Sequence, residues 1–265
     1  ALDYVVTRAV AIGRPVAVNL SFGNNYGAHD GQSLFERYIA ELAQVWKSSI
    51  VIAAGNEGDA RHHAQIRIGQ QPQNVPFAIA ERETNISIQI WKQYYDQMAI
   101  FIESPDGSIR QIERIAGSSR QYDMGNNRLL VYYGEPTPYT VSQEIYIEWI
   151  TKPGQEFLTE GIWNILFIPE KILYGEVNLW LPGIEAVGMS TGFLQPTPDT
   201  TITIPASARG ILSVGAYQAK QDIPAVFSGR GFTTDERIVP TLLAPGVGVI
   251  TTVPGGGYDS RTGTS

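Results

Sequence analysis

The sequence predicts an α/β domain with a parallel sheet, interrupted by an antiparallel β-sandwich. Three observations carry this expectation. The first 60 or so residues alternate amphipathic helix and all-apolar strand, the pattern of a parallel sheet covered by helices. From residue 66 onward, segments of helical period give way to short β-type runs separated by turn clusters. Beyond residue 200 the first pattern resumes, so the β-rich block is an insertion and not an appended domain. The expected division is 1–65 for the first part of the core, 66–204 for the insertion and 205–265 for the second part of the core.

Each element follows in order. Leu2, Val5, Val6, Ala9 and Val10 recur at helical spacing, and Gly13 and Pro15 end that helix. In "PVAVNLSFG", Val16, Val18 and Leu20 alternate, a strand running into a glycine turn. "QSLFERYIAELAQVWKSS" reads as a second amphipathic helix with Leu34, Tyr38, Leu42 and Val45 on its apolar face. "SIVIAAGNEG" is a second strand, too apolar for a sheet edge. In the middle block, "NISIQIWKQ", "MAIFIESPDG", "SIRQIERI", "RLLVYYGEP", "EIYIEWI", "GIWNILFIP" and "YGEVNLWLPG" are strand-like, and turns such as Ser104-Pro105-Asp106-Gly107 separate several of them. Seven such runs suggest a sandwich of the jelly-roll kind. Trp91, Trp149, Trp163 and Trp180 lie in this block. Their expected role is to pack its core or cover its faces, with carbohydrate stacking as the sharper alternative. "TITIPASARGILSVGAYQ" reads as a strand with an irregular approach, and the rest is loop-rich with short strand-like pieces.

Composition narrows the function. With 43% hydrophobic and 17% charged residues the chain can bury a real core, which excludes disorder. A net charge of -7 does not favour a nucleic-acid groove and reads as ordinary solubility. The absence of cysteine removes disulfides, thiolate metal sites and a cysteine nucleophile together. No apolar run has the roughly 18 residues of a membrane span. The opening residues have neither the basic start nor the cleavage site of a signal peptide; they read as the middle of a domain, and the chain is expected to be cut from a longer one.

Three stretches carry chemistry. In "VIAAGNEG", Asn56 ends an apolar strand after Ala53, Ala54 and Gly55. Its amide can donate to a developing oxyanion, although Asn before Glu-Gly is also a common turn former. In "VNLSFGNN", Ser21, Phe22 and Gly23 offer either a backbone edge for a peptide or a plain strand stop. In "LLAPGVGVITTVPGGGYDSRTGTS", Ser265 follows Gly263 and Thr264. It is either a helix N-cap or a nucleophile placed where backbone N–H groups hold an oxyanion.

Taken together, in order and spacing, these stretches resemble the subtilisin-like serine proteases (subtilases). "AVNLSFG" looks like the family's substrate-binding strand and "AAGNEG" like its oxyanion-asparagine loop. "ILSVGAY" and "AVFSGRG" resemble the strand and Phe-Ser turn further on, and the final segment resembles the run into the catalytic serine, which the family follows with Met-Ala. "VNLSFGNNYGAHDGQSLFE" and the β-rich insertion resemble, more closely, the clostridial Csp germination proteases, subtilases with a jelly-roll insertion. The resemblance implies an incomplete subtilisin-like core ending at its nucleophile. Ser265 would attack. Asn56 and the Ser265 N–H would hold the oxyanion. Ser21, Phe22 and Gly23 would form one wall of a peptide cleft, and Ala53, Ala54 and Gly55 the other. It implies a protein or peptide substrate, an N-terminal propeptide as partner, and a spore-associated or secreted bacterial location.

The family's aspartate and His-Gly-Thr-His motifs do not occur here. His29, His62 and His63 lie in stretches that read as loops and are expected to be structural, and Asp3, Asp30 and Asp259 match no triad position. The triad base and acid are therefore expected upstream, and this polypeptide alone is expected to be inactive. No metal or cofactor is expected, since no acidic cluster has EF-hand spacing. The competing reading is a non-catalytic pseudoprotease or binding module that works through its sandwich. An interrupted sheet is also expected to make the chain self-associate.

Overall fold

The computed structural model describes every residue except Trp46 and Tyr139; the Trp46 end of the second predicted helical stretch lies outside the described residues. The chain divides into two compact units, one of Ala1–Asp59 with Pro198–Ser265, the other of Ala60–Thr197. The first unit opens with α1 (Leu2–Ala11), β1 (Val16–Leu20), α2 (Leu34–Ala43) and β2 (Ser48–Ala53). The second holds β3 (His63–Arg67), β4 (Gln73–Ile79), β5 (Asn85–Gln93), β6 (Gln97–Glu103), β7 (Ile109–Ile112), β8 (Ser118–Met124), β9 (Asn127–Tyr133), β10 (Ser142–Thr151), β11 (Gly161–Lys171), β12 (Glu176–Trp180) and β13 (Gly192–Phe193). The chain then returns to the first unit with β14 (Leu212–Gln218), β15 (Ile223–Pro224), β16 (Gly231–Phe232), β17 (Ile238–Val239), β18 (Leu242–Pro245), β19 (Val249–Thr252) and β20 (Tyr258–Arg261).

In the first unit β1, β2, β14 and β18 lie side by side and parallel, and β15 turns back against the end of β14. β2 is internal, as its apolar run requires. Its Ile50 and Ile52 meet Ile39 and Leu42 of α2, together with Ile202, Ala206 and Ala208. The face of α2 differs from the expected Leu34, Tyr38, Leu42 and Val45. Glu36, Ile39 and Leu42 are buried, while Leu34 is 77% exposed. The cause is a capping box. Ser33 Oγ accepts the Glu36 N–H at 3.2 Å, and Glu36 Oε2 accepts the Ser33 N–H at 3.2 Å. The same carboxyl group takes a hydrogen bond from the buried Ser207 hydroxyl, which turns Glu36, and with it the helix, inward. Burial raises the Glu36 pKa, and the serine hydrogen bonds oppose that rise.

In the second unit every strand pair is antiparallel. One sheet runs β3-β12-β5-β10-β9-β8 and the other β13-β4-β11-β6-β7. All seven runs singled out in this block form strands; β3, β4, β8 and β13 join them, and β3 begins at His63, ahead of the expected start at 66. Ile86, Ile88, Ile90, Ile145 and Ile147 from one sheet share a buried cluster with Val75, Phe77, Ile100, Ile102, Ile165 and Phe167 from the other. Trp149 meets Phe77 at 5.3 Å and Trp163 at 6.1 Å, both edge-on, inside this cluster.

A buried carboxylate, with a buried lysine on its backbone, ties turns of this unit together. Asp96 accepts the Leu173 and Tyr174 N–H groups on Oδ1 at 2.6 and 2.9 Å, and the Gly175 N–H on Oδ2 at 2.7 Å. Lys92 Nζ donates to the Asp96 carbonyl oxygen at 2.8 Å and to Gln143 Oε1 at 2.7 Å. Burial pushes the Lys92 amine down from 10.5 to about 8, against the attraction of Asp96. A lysine with a depressed pKa holds fewer protons when folded than when unfolded, so between about 8 and 10.5 its contribution makes the fold more stable as pH rises. Lys92→Met should flatten that rise in a pH series of urea melts. A slope unchanged from the parent would contradict the burial argument.

Candidate active site

β1 and β2 end side by side, Leu20 opposite Ile52, so the segments that follow them are neighbours. Ser21, Phe22 and Gly23 leave β1 exposed to solvent. Ala53 ends β2, Ala54 is wholly buried in the core, and Gly55 and Asn56 emerge beyond it. Thr203 ties these ends together. Its N–H donates to the Ala54 carbonyl oxygen at 2.9 Å, while Asn24 and Ile204 exchange backbone hydrogen bonds at 3.0 and 2.8 Å. Gly55 has φ +90, and a Cβ there would lie 2.3 Å from the Thr203 methyl group. The "FSG" turn closes from another side. Gly229 N–H donates to the Gly55 carbonyl oxygen at 2.8 Å, and a Cβ on Gly229 would lie 2.2 Å from the Ala54 carbonyl oxygen.

Ser265 arrives from the β19–β20 hairpin. Gly263 N–H donates to the Gly246 carbonyl oxygen at 2.9 Å, which anchors the segment beside the end of β18. Thr264 is then buried against the asparagine loop. Gly55 N–H donates to Thr264 Oγ1 at 3.1 Å, and the hydroxyl in turn donates a hydrogen bond to Asn56 Oδ1, also at 3.1 Å. The Thr264 N–H donates to the same Oδ1 at 3.0 Å. A backbone N–H can only donate, so the atom facing it is the carbonyl oxygen, and the Asn56 NH₂ group is turned away from the clamp.

Among the described residues neither that NH₂ nor the Ser265 N–H has a hydrogen-bond partner. Both lie near Gly263: a Cβ there would be 3.6 Å from Asn56 Nδ2, 3.8 Å from Asn56 Oδ1 and 4.0 Å from the Ser265 nitrogen. Two free donors set near one another can hold an oxygen on which negative charge develops if both N–H groups face it.

Ser21 links the first wall to the last residue. Asn19 Nδ2 donates to Ser21 Oγ at 2.9 Å, and Ser21 Oγ donates to the Ser265 carbonyl oxygen at 3.4 Å. Phe22 stacks on Phe35 at 6.1 Å, leaving an exposed apolar surface beside Ser21. Ala53 and Ser265 also line a cavity of about 130 Å³ with Asn19, Val51, Val214 and Thr264, among others. No histidine lines it among the described residues. His29 is buried, with Nδ1 2.7 Å from the Ile202 carbonyl oxygen. His63 is buried in the second unit, where it stacks on Trp180 at 4.7 Å and its Nε2 lies 2.9 Å from Asn178 Oδ1. His62 is buried in that unit too.

Comparison with known proteins bears on this geometry. Residues 186–265, which hold the "FSG" turn, the Ala244-Pro245-Gly246 segment and Ser265, match the subtilase family. Over 99% of its length the chain superposes on the solved structure of the Clostridium perfringens CspB protease, with a TM-score of 0.89 and 30% identity. The fold is subtilisin-like. Its match covers 54% of the CspB protease structure, so it spans about half the length of that relative. No curated protein matches the chain. The subtilisin-like parallel sheet sits in a chain that is mostly β, with helix confined to α1 and α2 among the described residues. No helix among the described residues is long and apolar enough to cross a membrane.

The sequence reading singled out Ser265, Asn56 and the segments around them but missed Thr264 and Thr203. Thr264 lay inside the quoted "GTS", yet its partners are 209 and 208 residues away, and no local pattern points to them. If the clamp holds the loop, Thr264→Val should cost about 1–2 kcal/mol, since the Gly55 N–H loses its acceptor and Asn56 Oδ1 one of two donors. Thr264→Ser should stay near the parent. Equal urea midpoints for the valine and serine variants would refute the clamp.

Proposed function

We propose that the chain is part of a subtilisin-like serine endopeptidase in which Ser265 attacks the scissile carbonyl and Asn56 Nδ2 and the Ser265 N–H hold the oxyanion. The observation that supports this reading is the Gly55–Thr264–Asn56 hydrogen-bond chain, because it occupies the asparagine Oδ1 and leaves the NH₂, like the nearby Ser265 N–H, without a partner among the described residues. Ser21, Phe22 and Gly23 form one wall for an extended peptide. Ala53 and Gly55 form the other, and Ala54, buried behind them, supports it. The stacked Phe22 and Phe35 offer an apolar surface to a side chain on the acyl side of the scissile bond.

Serine needs a base and the base an orienter. The reading assigns both to polypeptide preceding these residues, because His29 and His63 are buried and hydrogen-bonded elsewhere and His62 is buried in the second unit. It follows that these 265 residues alone hydrolyse peptides negligibly. The second unit is read as a jelly-roll insertion, as in the Csp proteases, and a germination role with an N-terminal propeptide follows from the same likeness. A pseudoprotease in which Ser265 is vestigial is the competing reading.

One experiment separates the two. With the upstream polypeptide restored, Ser265→Ala should abolish peptide hydrolysis. Asn56→Ala should slow it by roughly 10²–10³, the figure set by subtilisin's own asparagine. Equal rates for the parent and Ser265→Ala would leave the pseudoprotease.

The chain on its own should also self-associate. Leu212, Leu242 and Leu243 on β14 and β18 are exposed at 41%, 46% and 42%, and apolar sheet surface of this kind is normally covered. Light scattering at rising concentration should show growing mass; a strictly monomeric solution would contradict this.

A further inference from the structure

Glu36 is held twice, and the two holds do different things. Its Oε2 completes the capping box of α2, accepting the Ser33 N–H at 3.2 Å and the Ser33 hydroxyl at 2.7 Å. Its Oε1 is not needed there and accepts the Ser207 hydroxyl instead. Glu36 is 1% exposed and Ser207 is wholly buried, so water does not compete for this bond. Ser207 belongs to no helix or strand. Two overlapping turns join it to Thr203: the Ala206 N–H donates to the Thr203 carbonyl oxygen at 2.8 Å, and the Ala208 N–H to the Pro205 carbonyl oxygen at 2.9 Å. Residues 203–208 thus form a short hydrogen-bonded bridge with Glu36 at one end.

The other end of the bridge meets both segments assigned as cleft walls. Thr203 N–H donates to the Ala54 carbonyl oxygen at 2.9 Å, between Ala53 and Gly55. Ile204 and Asn24 exchange backbone hydrogen bonds next to Gly23. The Thr203 side chain fills the space that two Cβ atoms would take. One on Gly23 would lie 2.3 Å from its Oγ1, and one on Gly55 2.3 Å from its methyl carbon. A shift of the bridge therefore presses on the backbones of Gly23 and Gly55 together, with no side chain of theirs between to absorb it. Arg237 grips the same bridge differently. Held by Asp235 at 3.0 and 3.1 Å, it donates to the carbonyl oxygens of Ser207 at 2.7 Å and of Asp30 at 3.1 Å. Arg237 thus holds the Ser207 backbone, while the hydroxyl is tied to α2 through Glu36.

We propose that Glu36 is a positioning residue for the peptide cleft: its carboxylate holds Ser207, and the 203–208 bridge passes that hold to Gly23 and Gly55 on the two walls. Glu36 is not a catalytic residue, because it reaches the cleft only through Ser207. The walls hold the peptide, whereas Asn56 is fixed separately by Thr264, so the contribution of Glu36 falls on substrate binding and not on the chemical step. The proposal rests on the endopeptidase reading for its cleft but not for its bridge.

The test uses the protein with its upstream polypeptide restored, and two substrates: a tetrapeptide amide that lies along the walls, and p-nitrophenyl acetate, which does not. Ser207→Ala leaves the capping box intact and cuts the bridge from α2. It should raise KM for the tetrapeptide roughly three- to tenfold, the contribution of one net hydrogen bond, with kcat within about twofold of the parent. Hydrolysis of the acetate should match the parent. Glu36→Ala should raise KM in the same way, and the Glu36→Ala/Ser207→Ala pair no further than the larger single change. Glu36→Gln should restore KM, since its amide oxygen accepts from Ser33 N–H and its NH₂ donates to Ser207 Oγ. A glutamate that only caps α2 would lower the thermal midpoint of Glu36→Ala and leave KM alone. Unchanged KM in Ser207→Ala, equal losses on both substrates, or additive losses in the double variant would each overturn the proposal. If Ser265→Ala cleaves the tetrapeptide as fast as the parent, it is the endopeptidase reading that fails. Amide hydrogen exchange in the same proteins then decides the bridge: Ser207→Ala, but not Glu36→Gln, should speed exchange at Asn24, Thr203 and Ile204, and unchanged exchange there would refute it.

Discussion

The neighbourhood of Ser265 depends on one chain of hydrogen bonds, from Gly55 N–H to the Thr264 hydroxyl to Asn56 Oδ1. A primary amide at the end of a strand can take two orientations of nearly equal shape, and only its partners choose between them. Here two donors from a single threonine converge on one oxygen, so the flipped amide would set N–H against N–H. The choice costs no charge and little side-chain entropy, because threonine has few rotamers and Thr264 is already buried. A hydroxyl serves as acceptor and donor at once, which a valine of the same shape cannot do. The orientation of the amide and the placing of the serine are therefore one event: the residue that fixes Asn56 is covalently joined to Ser265.

That coupling works only if three backbones approach more closely than side chains allow. Gly55 and Gly229 give up their Cβ atoms to Thr203 and to the Ala54 carbonyl oxygen, and in return their N–H and carbonyl groups cross-link the loops. A site built in this way is held mainly by main-chain hydrogen bonds, each worth about 0.5–1.5 kcal/mol net and each hard to replace. The alternation of a strand carries through its end. Ala54 goes to the core while Ala53 faces the cavity, so neighbouring alanines of one motif do different physical work.

What the sequence made legible divides along the same physical line. β5, β10 and β11 were plain because the inward positions of alternating runs such as Ile86, Ile88 and Ile90 must be apolar whatever the tertiary detail. β8, with the sequence SSRQYDM, was not plain, because it is a sheet-edge strand on which almost every position meets solvent. β4 was hidden in a run interrupted by Pro76. The face of α2 was misread for a different reason. Hydrophobic spacing favoured Leu34 and Tyr38, but Glu36 satisfies the helix N-terminus and the Ser207 hydroxyl together, and a buried hydrogen-bonded carboxyl outweighs two exposed apolar side chains. In the site, Ser265 and Asn56 were legible because small residues precede them at strand and loop ends. Thr203 and Thr264 were not, because each matters only through a partner that is remote in sequence.

The two units solve the same problem, fixing loops against one another, by opposite means. The first removes side chains so that backbones can bond directly. The second buries a carboxylate and lets it gather three N–H groups, with an amine alongside. A buried charge is the costlier device, since desolvation opposes the ammonium of Lys92 and shows in its depressed pKa. The turns joined in this way carry Tyr94, Tyr95, Leu173 and Tyr174, all exposed to solvent, so main-chain hydrogen bonds to Asp96 fix their place where burial of their side chains does not.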